Sequence, residues 1–228
     1  MTDPLVPLAE RVEAVRAGVA DAARVAGRSA DELALIAVTK FHPASLVREL
    51  HALGIRDVGE NRHQEAREKA AELAALDDLT WHFVGQLQTK KARQAREYAS
   101  FVHSLDRVAL ADQLASAEHP LGVFVQVNLT DDPARGGVAS ADAVALAEHA
   151  AALPGLTLHG VMAVAPLDEE PRAAFARLRA VSEAVRAVVP TATQISAGMS
   201  HDYREAVLEG ATHLRIGTAI TGNRPPHD

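Results

Sequence analysis

Apolar, β-branched strand signals alternate with amphipathic helix signals eight times over about 200 residues, which predicts an α/β chain folded as a (β/α)8 TIM barrel. Two further observations support it. No linker, low-complexity tract or compositional break divides the 228 residues, so 1–228 is expected to be one domain. Almost every strand signal also ends on a polar residue or a glycine, as a barrel with one working rim requires.

The elements follow in order. Leu5, Leu8, Val12, Val15, Val19 and Ala22 recur at spacings of three and four, one face of an extra N-terminal helix within 1–30. The barrel proper spans 33–222, and the opening helix could cover its floor or replace a weak final helix. "LALIAVT" (33–39) is continuously apolar, as a strand covered on both faces should be. Pro43 suits the first turn of a helix whose face is Leu46, Val47, Leu50 and Leu53, with Gly54 as its stop. Strands are expected near 55–59, 80–85, 101–104, 121–128, 156–163, 191–196 and 212–216. Helices are expected near 61–75, 88–98, 106–117, 140–152, 171–188 and 202–209. An open doubly wound sheet would place a Gly-rich turn after its first strand; "TKFHPAS" has no glycine.

Composition narrows the function. No stretch approaches the roughly 20 apolar residues of a membrane span, and charges interrupt the N-terminus where a secretory signal would be apolar. The absence of cysteine excludes disulfides, thiolate metal sites and thiol catalysis, and fits a reducing cytoplasm. A formal charge of −7 argues against a nucleic-acid partner. No long apolar helix face demands a second subunit, so a monomer is expected. The eleven histidines show no HExxH spacing, which leaves no metal site. His82 and Trp81, inside "TWHFVG", read as core.

The chemistry concentrates at strand ends. "SAGMS" (196–200) and "RIGT" (215–218) follow the last two strands, where barrels commonly build phosphate sites. Glycines let backbone amides approach an oxyanion, and Ser or Thr hydroxyls add donors. The same residues also serve as turn glycines and capping serines. Lys40 ends the first strand, at the rim of the mouth and partly desolvated. It is either a charge neutralising the phosphate or an amine able to form a Schiff base with an aldehyde.

Several strings then fall into a familiar series: "AVTKFHP", "DVGENRHQEAREK", "WHFVGQLQTKK", "HSLDR", "VFVQVN", "LHGVMAV" and "SAGMSHDYREAVLEGATHLRIGTAITG". Ordered and collinear from about 33 to 222, they resemble the pyridoxal phosphate homeostasis proteins, single-domain relatives of the alanine racemase barrel. The resemblance implies pyridoxal 5′-phosphate as cofactor, with Lys40 as its Schiff-base lysine and Asn61 beside it. Ser196, Ser200, Gly217 and Thr218 would lie at the phosphate end, Met199 would be a further cofactor contact, and Arg215 would approach the pyridine nitrogen. Two departures stand out: Arg135 where the family often has lysine, and Thr221 where it often has phenylalanine.

Three functions follow as alternatives. The first is a cytoplasmic protein that holds pyridoxal phosphate and takes part in its homeostasis, handing it to apoenzymes with little or no turnover. The second is an amino-acid racemase, and the third a cofactor-free Schiff-base aldolase. The racemases resembling this barrel take a second base, a tyrosine, from an added domain. Here ten residues follow Thr218, and Tyr98 and Tyr203 are the two tyrosines available, both on helices. The homeostasis reading is therefore expected.

Overall fold

The computed structural model describes residues 6–130 and 132–223. Its strands are β1 (Ala34–Val38), β2 (Asp57–Glu60), β3 (Thr80–Phe83), β4 (Phe101–Leu105), β5 (Leu121–Asn128), β6 (Val138–Ala139), β7 (Leu156–Met162), β8 (Gln194–Ser196) and β9 (His213–Ile216). All pair in parallel. Eight of them close a ring in the order β1-β2-β3-β4-β5-β7-β8-β9, and β9 returns to β1 with Ala34 opposite His213 and Ala37 opposite Ile216. The two-residue β6 adds to the carboxyl end of β5 and was not foreseen. A pair of residues is too short to show alternation.

The expected strands are all present, most of them trimmed. The strand expected at 191–196 keeps its last three residues, because turn hydrogen bonds from Ala192 to Val189 and from Thr193 to Thr191 take the rest. The helices are α1 (Leu8–Val25), α2 (Ala44–Ala52), α3 (His63–Glu72), α4 (Ala92–Arg96), α5 (Val108–Leu114), α6 (Ala143–Ala152), α7 (Pro171–Val188), α8 (Tyr203–Leu208) and α9 (Thr218–Thr221). Pro43 caps α2, and Gly54 takes φ 81° just beyond it, the left-handed turn that a side chain resists.

The final β9 is followed by a single turn, α9, so the ring of helices needs another member. The opening helix fills that place. Val12, Val15, Val19, Ala22 and Ala23 of α1 are buried. Arg11 Nε donates to Ile220 O at 2.7 Å, Arg204 pairs with Asp21 at 3.0 Å, and Arg16 donates to Leu53 O at 2.9 Å. These contacts tie α1 to α9 and α8 on one side and to the end of α2 on the other. Leu5, expected on the same face, lies outside the described residues.

The apolar core lies between strands and helices. The barrel interior is different: besides Ile36, Val38 and Phe124 it holds Asp57, His82, His103, His159, Gln194, Ser196, His213 and Arg215. Phe124 and Phe101 are layered between the histidines, with His103 stacked on Phe124 at 4.5 Å and His82 on Phe101 at 4.8 Å. Barrels usually fill this space with branched aliphatics. Here it is a hydrogen-bonded aromatic stack.

Candidate functional site

β1 stops at Val38, and Lys40 stands two residues further on, in a turn. It is exposed rather than partly desolvated, because the strand ends one residue earlier than the apolar run suggests. Its ammonium lies 5.9 Å from the centroid of the Phe41 ring. Phe41 takes φ 68°, the one non-glycine residue at positive φ among those described, and its amide donates to Glu65 at 3.1 Å. A bulky residue in that region costs about 1–3 kcal/mol, so the turn carrying Lys40 is held by its surroundings.

Those surroundings are a buried polar cluster. Thr39 Oγ1 donates to Glu60 Oε1 at 2.6 Å, and Lys69 Nζ reaches the same oxygen at 2.6 Å and Thr39 O at 2.8 Å. Glu60 and Lys69 are both buried, and burial pushes the Glu60 carboxyl above its ordinary range, against the pull of Lys69. The cluster fixes the residue before Lys40 and the residue before Asn61. Sequence reasoning missed it, since Glu65 and Lys69 in "EAREK" look like a solvated helical pair. The signal was there: Ala66, Lys69 and Leu73 share one face, so Lys69 falls on the apolar stripe.

Asn61 follows β2. Its Oδ1 is buried and has no hydrogen-bond partner among the described residues. Gly85, at the end of the next strand, gives it room: a side chain there would place its Cβ 2.2 Å from Asn61 O.

Arg215 is buried on β9, at 5% exposure. It donates to Ser196 Oγ at 2.6 Å and to Ala163 O at 2.8 Å. Burial lowers its pKa to about 10. Ser196 is itself fully buried, and its hydroxyl also meets His103 Nδ1 at 2.8 Å. That hydroxyl is engaged in the barrel interior, between Arg215 and His103.

The remaining loop residues sit higher. Met199 uses its amide on Asp202 Oδ1 (2.6 Å) and its carbonyl on the Tyr203 amide (3.0 Å), which turns the chain into α8. Ser200 Oγ accepts from the Ala219 amide at 3.2 Å, joining the loop after β8 to the turn after β9. Gly217 precedes α9, and a Cβ there would meet Val38 Cβ at 3.8 Å, so this turn lies against the end of β1. Thr218 is exposed. Thr221 is buried, with its hydroxyl on Gly217 O at 3.3 Å, so a polar side chain is accommodated there. Arg135 is exposed in the turn before β6.

The eight expected residues thus fall on one arc of the carboxyl rim, β8-β9-β1-β2. The arc offers an exposed primary amine, a buried amide oxygen without a partner, a buried donor-only guanidinium, and a glycine turn with two hydroxyls. That donor set fits a phosphorylated pyridine aldehyde.

Comparison with known proteins agrees. Residues 12–225 match the family described as Alanine racemase, N-terminal domain. The pyridoxal phosphate homeostasis protein of Pseudomonas aeruginosa is 43% identical over 224 residues, covering 95% of this chain and 96% of its own. PipY of Synechococcus elongatus, solved with PLP bound, superposes with a TM-score of 0.83 at 37% identity, covering 95% of this chain and 100% of its own. Alanine racemase from Corynebacterium glutamicum shares the fold, at a TM-score of 0.70 and 16% identity, and this chain covers 61% of it. An ordered motif series, a closed barrel and relatives matched along nearly their whole length converge, and the chain belongs to the pyridoxal phosphate homeostasis protein family.

Proposed function

We propose that this protein binds pyridoxal 5′-phosphate at the carboxyl rim of its barrel and acts in the homeostasis of that cofactor, with little or no turnover of its own. The observation that supports the reading is an exposed Lys40 two residues beyond Val38, the residue against which the Gly217 turn lies, with Arg215 buried on the neighbouring strand. When bound, the cofactor supplies an aldehyde that condenses with a primary amine and a ring that withdraws electrons. Lys40 would furnish the amine. Of the four lysines in the chain, Lys69 is buried against Glu60, while Lys90 and Lys91 lie on the turn after β3. Ser200, Thr218 and the backbone around Gly217 would hold the phosphate, Asn61 would meet the ring edge, and Arg215 would face the ring nitrogen.

The same residues argue for weak catalysis. Enzymes that use this cofactor as a strong electron sink pair its ring nitrogen with a carboxylate. Arg215 is a donor only, so it would suit an unprotonated nitrogen and a weaker sink. Neither tyrosine is free to serve as a second base at the mouth. Tyr98 packs between helices and bonds to His63 at 3.2 Å, and burial raises its phenol well above the ordinary value. Tyr203 fills the space left by Gly18 on α1.

Among the described residues no helix is long and apolar enough to cross a membrane. The proposal extends to a cytoplasmic monomer that hands its cofactor to apoenzymes without nucleic-acid or membrane partners.

The test is an absorbance titration with pyridoxal phosphate, then borohydride reduction and peptide mapping. The pyridoxyl group is expected on Lys40 and absent from Lys40→Ala. A protein that takes up no cofactor, or carries it on another lysine, overturns the assignment. Incubation with alanine in deuterated water should show almost no loss of the α-proton; exchange at about 1 s⁻¹ or faster, as for an ordinary enzyme, would favour the racemase reading.

A further inference from the structure

The polar barrel interior contains one continuous path. Arg215 Nη1 meets Ser196 Oγ at 2.6 Å, Ser196 Oγ meets His103 Nδ1 at 2.8 Å, His103 Nε2 meets His82 Nδ1 at 2.9 Å, and His82 Nε2 meets Asp57 Oδ1 at 2.9 Å. Arg215 is one residue from the carboxyl end of β9, while Asp57 is the first residue of β2. The path therefore runs the height of the barrel, from the rim of the proposed site to the opposite rim. There the Asp57 side chain is 33% exposed and the His82 side chain 1%.

The two ends fix its direction. A guanidinium can only donate and a carboxylate can only accept. With both imidazoles neutral, every contact is satisfied in one way. Arg215 donates to Ser196, whose hydroxyl donates to Nδ1 of His103. Nε2–H of His103 donates to Nδ1 of His82, and Nε2–H of His82 donates to Asp57. Burial holds His103 neutral, its pKa falling well below the ordinary value. His159 and His213 line the same interior. They bond aside, to Gln194 and Thr212, and leave the path unbranched.

We propose that Ser196, His103, His82 and Asp57 are positioning residues for Arg215, a one-way hydrogen-bond chain that couples a carboxylate on the far rim to the guanidinium facing the ring nitrogen. Its aim at the ring nitrogen rests on the function proposed above, whereas the chain itself stands on the interior geometry. A hydrogen-bonded chain polarises along its length, and its two charged ends make every bond in this one point the same way. The chain locks the Arg215 side chain and moderates the positive charge it presents at the mouth.

The test has one arm without the cofactor and one with it. Long-range nitrogen–proton correlation spectra of the cofactor-free protein, labelled at histidine, are expected to show His82 and His103 both protonated at Nε2 and bare at Nδ1. Asp57→Ala removes the terminal acceptor at a partly exposed position, so the interior packing survives. It is expected to move both histidine signals and shift the absorption maximum of bound pyridoxal phosphate. It should also weaken binding roughly threefold to tenfold, the scale of one hydrogen bond. Asp57→Asn keeps an acceptor for His82, and should preserve both tautomers and restore most of the affinity. A proton on Nδ1 of His103 overturns the chain. So does an Asp57→Ala protein whose absorption maximum and affinity match wild type. Wild-type protein that takes up no pyridoxal phosphate overturns the functional reading instead, and the histidine tautomers still decide whether the chain exists.

Discussion

Replacing Lys69 with methionine tests the support beneath the site. Methionine keeps most of the volume and removes the ammonium, so Glu60 loses its bond at 2.6 Å and Thr39 O its bond at 2.8 Å. Glu60 Oε1 would keep only the Thr39 hydroxyl, and Oε2 already has no partner among the described residues. Glu60 is 1% exposed, so water cannot compensate. Breaking one side of a buried ion pair costs about 3–5 kcal/mol, which for a chain of this size lowers Tm by roughly 6–20 °C. The penalty should depend on pH with a definite sign. The Glu60 pKa is already raised in the fold, mainly by burial, and losing Lys69 raises it further. A raised folded pKa favours the protonated fold, so stability is gained below the ordinary value of 4.5 and lost as pH climbs through the folded value. Circular-dichroism melts of Lys69→Met should therefore show a larger loss near pH 7.5 than near pH 4.5, the ordinary value of the carboxyl. Adding Glu60→Gln, which removes the stranded charge, should recover part of it. A loss below about 1 kcal/mol at pH 7.5, or an equal loss at both pH values, would refute the cluster as a buried ion pair.

Ser200→Ala should loosen the junction with Ala219, and Thr218→Ala should remove an exposed hydroxyl. Each is expected to weaken pyridoxal phosphate roughly tenfold while leaving unphosphorylated pyridoxal almost unchanged, and equal losses for both ligands would count against a phosphate site. Gly198→Ala places a Cβ 2.8 Å from Ala206 Cβ at φ 92°, which should cost roughly 2–5 kcal/mol in a urea titration; a neutral effect would mean that the loop can relax. His213 is held at about 4 in the fold, below its ordinary 6.5, chiefly by burial, and His103 shifts the same way. The His213 contribution is complete above about 6.5 and disappears as pH falls towards 4, a share of about 3 kcal/mol; His213→Gln should flatten that part of the profile, and an unchanged slope would assign it to other groups.

The barrel was legible because its strands are covered on both faces and read as continuous apolar runs, each closed by a turn residue. Lys40, Asn61, Gly217 and Thr218 were legible for a related reason: a barrel puts strand ends on one rim, and a linear reading can collect them. The interior was not. His82 and His103 alternate with apolar neighbours as any inward residue does, and nothing in "TWHFVG" or "FVHSL" says that the two rings share a proton. Lys69 was hidden by an ordinary-looking charge pattern, and Ser196 by a motif that looks like a phosphate loop yet gives one hydroxyl to the interior. For the histidines and Ser196 the partners come from other strands, so local spacing carries no trace of them; Lys69 left a trace, since its place on the Ala66–Leu73 stripe sets it on the buried face.

The placement of α1 between α2 and α8 also bears on how the chain folds as it is made. The helix is complete at Val25, but Ala206 and Val207 of α8 emerge about 180 residues later. At about 5–20 residues per second that is roughly ten to forty seconds with a stripe of valines uncovered. The apolar face of α1 thus waits for α8 before it is closed, and the ring of helices stays open between α2 and α8 until then. A substitution that strengthens α1 against α8, such as better packing at Val15 or Val19, should therefore slow unfolding of the finished barrel while leaving the earlier steps of its assembly unchanged.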